Sequence, residues 1–183
     1  MGKVYEKIDD RWADFIKAQK MFFVATAPLS ADGHVNVSPK GYDSFAILDP
    51  LTVAYLDVGG SGIETVAHIQ ENERITIMFC AFEGAAKILR LYGHGEAIDF
   101  NHPEFADLMT LFPAHDRARN IIRVKLSRIQ DSCGWGVPFY EFKSERDQLR
   151  RYYENKTSDE IRDKIYVSNA RSLDGLTGIE KPE

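Results

Sequence analysis

Two short runs of this 183-residue chain hold residues whose types and spacing suit one chemistry, the holding of a phosphate. The first is His34 to Gly41, HVNVSPKG, where strand alternation puts Asn36, Ser38 and Lys40 on one face and Val35 and Val37 on the other. Lys40 would offer a point charge to a phosphate and Ser38 a hydroxyl beside it. The same face also suits a solvated edge strand blunted by Pro39. The second run is Gly59-Gly60-Ser61-Gly62. A glycine turn feeding a helix presents free backbone N–H groups and the positive end of the helix dipole to an anion. It equally suits a tight connection in which Ser61 and Glu64, three residues apart, form a capping box. The turn is neither a Walker loop, since no Lys-Ser/Thr follows, nor a dinucleotide fingerprint, since the third glycine is missing.

Other reactive types form no constellation. Histidines 34, 68, 94, 102 and 115 show neither HxH nor HExxH spacing, so no metal site is expected. Cys80 falls mid-strand as a core thiol. Trp135, in Cys133-Gly134-Trp135-Gly136, suits either ligand stacking or packing against its own barrel. Glu96 and Asp99 fall on opposite strand faces and make no acid–base pair. No serine elbow or nucleophile–base pair is present, and no catalytic residue is assigned.

The elements that must position these residues arrive in quick succession. Ile8, Trp12, Phe15 and Ile16 predict an amphipathic first helix ending near Gln19-Lys20. Met21 to Leu29 and His34 to Gly41 read as a hairpin around Asp32-Gly33. Phe45 to Leu48, Leu51 to Val58 and Ile75 to Phe79 read as strands, with a short helix over Ile63 to Ile69 between the last two. Lys87 to Ile98 is the longest strand, with Leu89, Leu91, Gly93, Gly95 and Ala97 on one face. Pro103 to Phe112 reads as a helix, and Ile121 to Ile129 as a strand. Val137 to Phe142 reads as a short aromatic strand or extended segment. Helices follow over Arg146 to Asn155 and Ser158 to Val167, then a Gly-rich tail, Ser172 to Glu183. Short turns between strands favour a mainly β, closed, mostly antiparallel barrel with peripheral helices over a doubly wound parallel sheet.

Length suits a single domain over 1–183, with a barrel core at about 21–142 and a C-terminal helical extension and tail over 143–183. A net charge of -5 argues against nucleic acid or an anionic membrane surface as partner, and leaves any anionic ligand dependent on a local basic pocket. No signal peptide is seen at the N-terminus, the run Met21 to Pro28 is too short to span a bilayer, and two cysteines fit a reducing compartment. The expectation is a cytoplasmic protein.

FFVATAPLSADGHVNVSPKG, AYLDVGGSGIETVAHIQENERITIMF and RLYGHGEAI, in that order, resemble the pyridoxamine 5′-phosphate oxidase-like, FMN-binding split-barrel family. DSCGWGVPFYEF and SLDGLTG extend the resemblance, to an uncharacterised bacterial and fungal branch, over nearly the whole chain. It implies a six-stranded, antiparallel Greek-key split β-barrel that forms a homodimer, with one FMN in each of two clefts at the subunit interface. The positions matching the family's cofactor residues are Asn36, Val37, Ser38 and Lys40, then Tyr55, Ser61, Gly62 and Thr65, then Arg90. Trp135 is a looser match that would reach the neighbouring subunit's flavin. The studied oxidases carry Ser-Arg-Lys in the phosphate turn, where this chain has Ser61-Gly62-Ile63. That leaves a phosphate to backbone N–H groups, Ser61 and Lys40. The arginine-bearing segment that binds pyridoxal phosphate has no counterpart in SLDGLTGIEKPE. The implied activity is FMN-dependent hydride transfer on an unknown substrate. The alternatives are a non-catalytic flavin-binding, storage or sensor protein, and a haem-binding split barrel.

Overall fold

The β-branched and aromatic residues around the glycine turn fold as their propensities favour. Thr52–Val58 forms β5, Glu64–Asn72 forms α2 and Arg74–Cys80 forms β6, with Glu73 turning the chain between them at φ 60°. A computed structural model describes residues 2–112 and 118–182, so His115 lies outside the described residues. The remaining strands are β1 (Val4–Tyr5), β2 (Phe22–Thr26), β3 (Asn36–Lys40), β4 (Phe45–Asp49), β7 (Ile88–Asp99) and β8 (Ala118–Ser132). The remaining helices are α1 (Asp10–Ala18), α3 (Phe105–Met109), α4 (Gln148–Glu154) and α5 (Ser158–Ser168).

Every strand pairing is antiparallel, in the order β3-β2-β6-β7-β8-β5-β4, with β1 joining β8. The sheet curls on itself. Phe22 of β2 meets Phe45 of β4 with ring centroids 5.2 Å apart, although four strands separate them in the hydrogen-bonded order. Tyr55 and Phe79 complete this edge-to-face cluster, the arrangement that the ring quadrupoles favour. Since β3 and β4 do not pair with one another, the barrel stays split.

Alternation along β7 and β8 fills the barrel as the sequence pattern requires. Leu89, Leu91, Ile122 and Val124 are fully buried in the main core. Ile98 and Ile121, of opposite parity, pack with Leu56 and Phe112 in a second cluster beside α3. Burial of Trp12 and Ile16 seats α1 on the main core, and Asp9 caps that helix by accepting the Trp12 N–H at 3.0 Å.

Two expectations change, and one open alternative narrows. The capping box does not form at α2: Ile63 is the N-cap and makes no side-chain cap. The Glu64 carboxylate instead accepts the Leu173 N–H at 3.2 Å. Helix α3 covers only five residues. Of the two readings of 137–142, strand or extended segment, the strand does not form: Pro138 lacks a donor, and the segment is held by the Tyr140 N–H donating to Phe82 O at 3.0 Å. A capping box does occur at α5, between Thr157 and Glu160. The chain after α5 folds back onto the domain, burying Ile179 against the core.

Candidate functional site

A cavity of about 350 Å³ opens where β3, the glycine turn, the start of α2 and the start of β8 converge. Asn36, Ser38, Lys40, Ser61, Gly62 and Thr65 all line it, so the two runs singled out in the sequence meet in space. The β2–β3 hairpin supplies the first three on one strand face, with Ser38 opposite Val24 and Lys40 opposite Phe22. Asn36 Nδ2 donates to Thr65 Oγ1 at 3.0 Å, which ties β3 to the first turn of α2. The resulting wall presents hydroxyls, an amide and backbone N–H groups.

At its base lies a buried charge cluster. Asp57, 1% exposed, accepts from Lys40 Nζ on one oxygen and from Arg119 Nε on the other, both at 2.7 Å. Burial alone pushes the Asp57 carboxyl up. Arg119 and Lys40, through charge and hydrogen bonds, override this and hold it down at about 2. Two cations on one carboxylate leave this cluster with one net positive charge, which the Glu64 carboxylate in the same lining offsets. Arg119 also donates to Asn169 Oδ1 at 2.9 Å, and Asn169 Nδ2 donates to Gly60 O at 3.3 Å. The segment after α5 thereby fixes both the arginine and the turn.

Arg119 is the site residue that the sequence pattern missed. The β5–β8 register runs Asp57↔Asn120 and then Val58↔Ala118, so Arg119 is the extra residue of a bulge. Strict alternation would send it outward from the core face of Ile122 and Val124; the bulge re-aims it onto Asp57. The available signal was Asp57 itself, an acidic residue inside an apolar strand that needs a cation. Glu64 was named only for the capping box, yet it also lines the cavity and sets a carboxylate near its mouth.

Four matched positions lie elsewhere. Val37 points outward, 61% exposed, on the opposite face of β3. Tyr55 sits inside the barrel at 0% exposure, with Lys40 Nζ 6.0 Å from its ring centroid. Its buried hydroxyl has no hydrogen-bond partner among the described residues. Arg90 pairs in register with Gln130, toward the other end of β8 from Arg119, and donates to Ser132 Oγ at 3.0 Å. Trp135 projects from the loop after β8, 86% exposed.

The fold and site define an antiparallel split barrel with a hydroxyl-lined cavity, a lysine–arginine cluster at its base, at the split-side strand β3. Residues 8–133 match the pyridoxamine 5′-phosphate oxidase family. The chain belongs to that family. It is 36% identical over 192 residues to the pyridoxamine 5′-phosphate oxidase family protein ustO of Aspergillus flavus, covering 96% of this chain and 77% of that protein. The solved structure of HupZ from Group A Streptococcus matches with a TM-score of 0.56 at 21% identity, over 73% of this chain and 99% of that one.

Proposed function

We propose that this cavity holds the phosphate end of FMN and that the protein is an FMN-dependent oxidoreductase. The observation that carries the reading is the Lys40–Asp57–Arg119 cluster, which sets a net positive charge beneath Ser38, Ser61 and Thr65. The donor set fits a phosphate: charge below, hydroxyls at the sides, and at the rim the N-terminal amides of α2, which no side chain caps. A phosphate also supplies what the chain's net charge of -5 otherwise discourages, an anion held by a local basic pocket. Bound flavin supplies hydride transfer, so the side chains here bind and orient rather than trade protons.

The same reading makes the protein a homodimer with the flavin at the subunit interface. Arg90 and Trp135, which lie off this cavity, are then residues offered to the neighbouring subunit's cofactor. Cys80 and Cys133 are both free, the latter exposed, which suits a reducing cytoplasm. No helix of the described residues is long and apolar enough to cross a membrane.

The test is a visible absorbance spectrum of the purified protein, followed by mass analysis of the molecule that heat releases. A flavin spectrum with the mass of FMN is expected, as is oxidation of NADH or NADPH by the loaded protein. Colourless protein that takes up no added FMN would remove the reading. Flavin binding without turnover would leave a carrier or sensor in place of an oxidoreductase.

A further inference from the structure

A second cavity, of about 340 Å³, lies where the end of α1 meets β4 and the loop joining β3 to β4. Its lining shares no residue with the cavity at β3. The buried side is aromatic: Phe22, Phe45 and Phe79, the rings that meet across β2 and β4, all line it. Lys17 and Lys20, exposed at the C-terminal end of α1, line it as well. Neither lysine pairs with a carboxylate among the described residues, and Lys20 meets only the Phe142 ring, its ammonium 5.8 Å from the centroid. The β3–β4 loop supplies Asp43 and Ser44. Tyr42 and Asp43 hold φ of 64° and 53° in succession, a left-handed turn that side chains disfavour. Ser44 follows that turn at 4% exposure, and its hydroxyl makes no hydrogen bond among the described residues.

We propose that this cavity binds a small aromatic carboxylic acid, with its ring on Phe22, Phe45 and Phe79 and its carboxylate at Lys17, Lys20 and Ser44. The volume is that of a small-molecule site, and an apolar body with a few polar groups is the ordinary lining of one. Rings already packed edge to face extend naturally to one more ring. Two lysines against the single carboxylate of Asp43 leave one positive charge in the lining, which an anion satisfies and a cation does not. The buried Ser44 hydroxyl is a donor without an acceptor, and a carboxylate oxygen is the acceptor it lacks. A neutral aromatic would fill the apolar side and leave all three donors unmet. The inference stands apart from the flavin reading, because the two cavities have separate linings.

The experiment is isothermal titration of the purified protein with phenylacetate and with its neutral counterpart phenylethanol, each with and without saturating FMN. Phenylacetate is expected to bind at least about tenfold more tightly than the alcohol, the scale of one charge-assisted contact. Lys17→Ala combined with Lys20→Ala, both at exposed positions, is expected to erase that advantage while affinity for the alcohol stays as in the parent. Asp43→Asn, which keeps a side chain that left-handed backbone tolerates, is expected to tighten phenylacetate severalfold. No saturable uptake of phenylacetate, equal affinity for acid and alcohol, or a preference that survives the double substitution overturns the inference. Acid binding seen only without FMN would place the acid in the β3 cavity and overturns it too. Failure of the protein to take up FMN removes the flavin reading alone.

Discussion

Asp57 sets the charge at the base of the cavity, and the consequences of altering its partners are unequal. Lys40→Ala leaves Asp57 still paired to Arg119, so the fold should survive while FMN affinity falls about ten- to hundredfold, the value of one charge-assisted hydrogen bond. Isothermal titration of flavin-free protein reads this directly, and unchanged affinity would remove Lys40 from the site. Asp57→Ala does the opposite: it strands two cations at the base of the cavity, at a cost of about 3–5 kcal/mol for a broken buried pair, visible as a fall in the denaturation midpoint. The carboxyl is held at about 2 in the fold, below the roughly 3.9 of an unfolded aspartate. The native state therefore binds fewer protons, and the cluster's stabilisation is complete above about pH 4 and lost as pH falls through the folded value. Glu64→Gln should strengthen FMN binding severalfold, because it removes a negative charge from the cavity lining while keeping an oxygen for the Leu173 N–H. Much of this cavity was legible in the sequence, since strand parity alone put Asn36, Ser38 and Lys40 on one face. Arg119 was not, because a single extra residue in β8 reverses the parity on which such reading depends.

Among the elements, β7 declares itself through alternation, and its burial follows that over Ile88 to Gly95, whereas α2 buries five residues in a row, Thr65 to Ile69. The segment after α5 does not declare itself, because it is held by backbone contacts that leave no hydrophobic period. The Gly178 N–H donates to Ala170 O and the Ile179 N–H to Asn169 O, both at 2.9 Å. A Cβ at Gly178 would lie 2.1 Å from Asn169 O and 2.9 Å from the Ile63 side chain. Gly178→Ala must therefore displace this segment, at a cost of about 1–3 kcal/mol. Asn169 also holds Arg119 and the Gly60 carbonyl, so the same substitution should lower FMN affinity without touching the cavity. A thermal melt and a flavin titration on one sample check the two effects together. Loss of stability with intact flavin affinity would show that Arg119 is positioned by Asp57 alone.

At the scale of the whole molecule, the surface carries more apolar side chain on one short segment than a lone domain needs. Trp135, Phe139 and Tyr140 are all largely exposed on the chain that leaves β8, beside the half-exposed Phe142. Exposed patches of this kind, rich in aromatic residues, mark surfaces that another chain covers. The proposed homodimer gives them an occupant. It also explains why Trp135 can be a matched position while standing far out from its own subunit's cavity. Sedimentation equilibrium should return twice the 20.8 kDa of one chain. Trp135→Ser combined with Phe139→Ser should shift that mass toward the monomer and weaken flavin binding in step, because the proposed interface covers both exposed rings and neither lines the cavity of its own subunit. A monomeric variant with full FMN affinity would place the flavin within one subunit. A parent protein that sediments at 20.8 kDa would remove the dimer and return these aromatics to a different partner. No strand parity or turn residue announces this level of structure, since a solitary chain's pattern separates inside from outside but cannot distinguish water from a second copy.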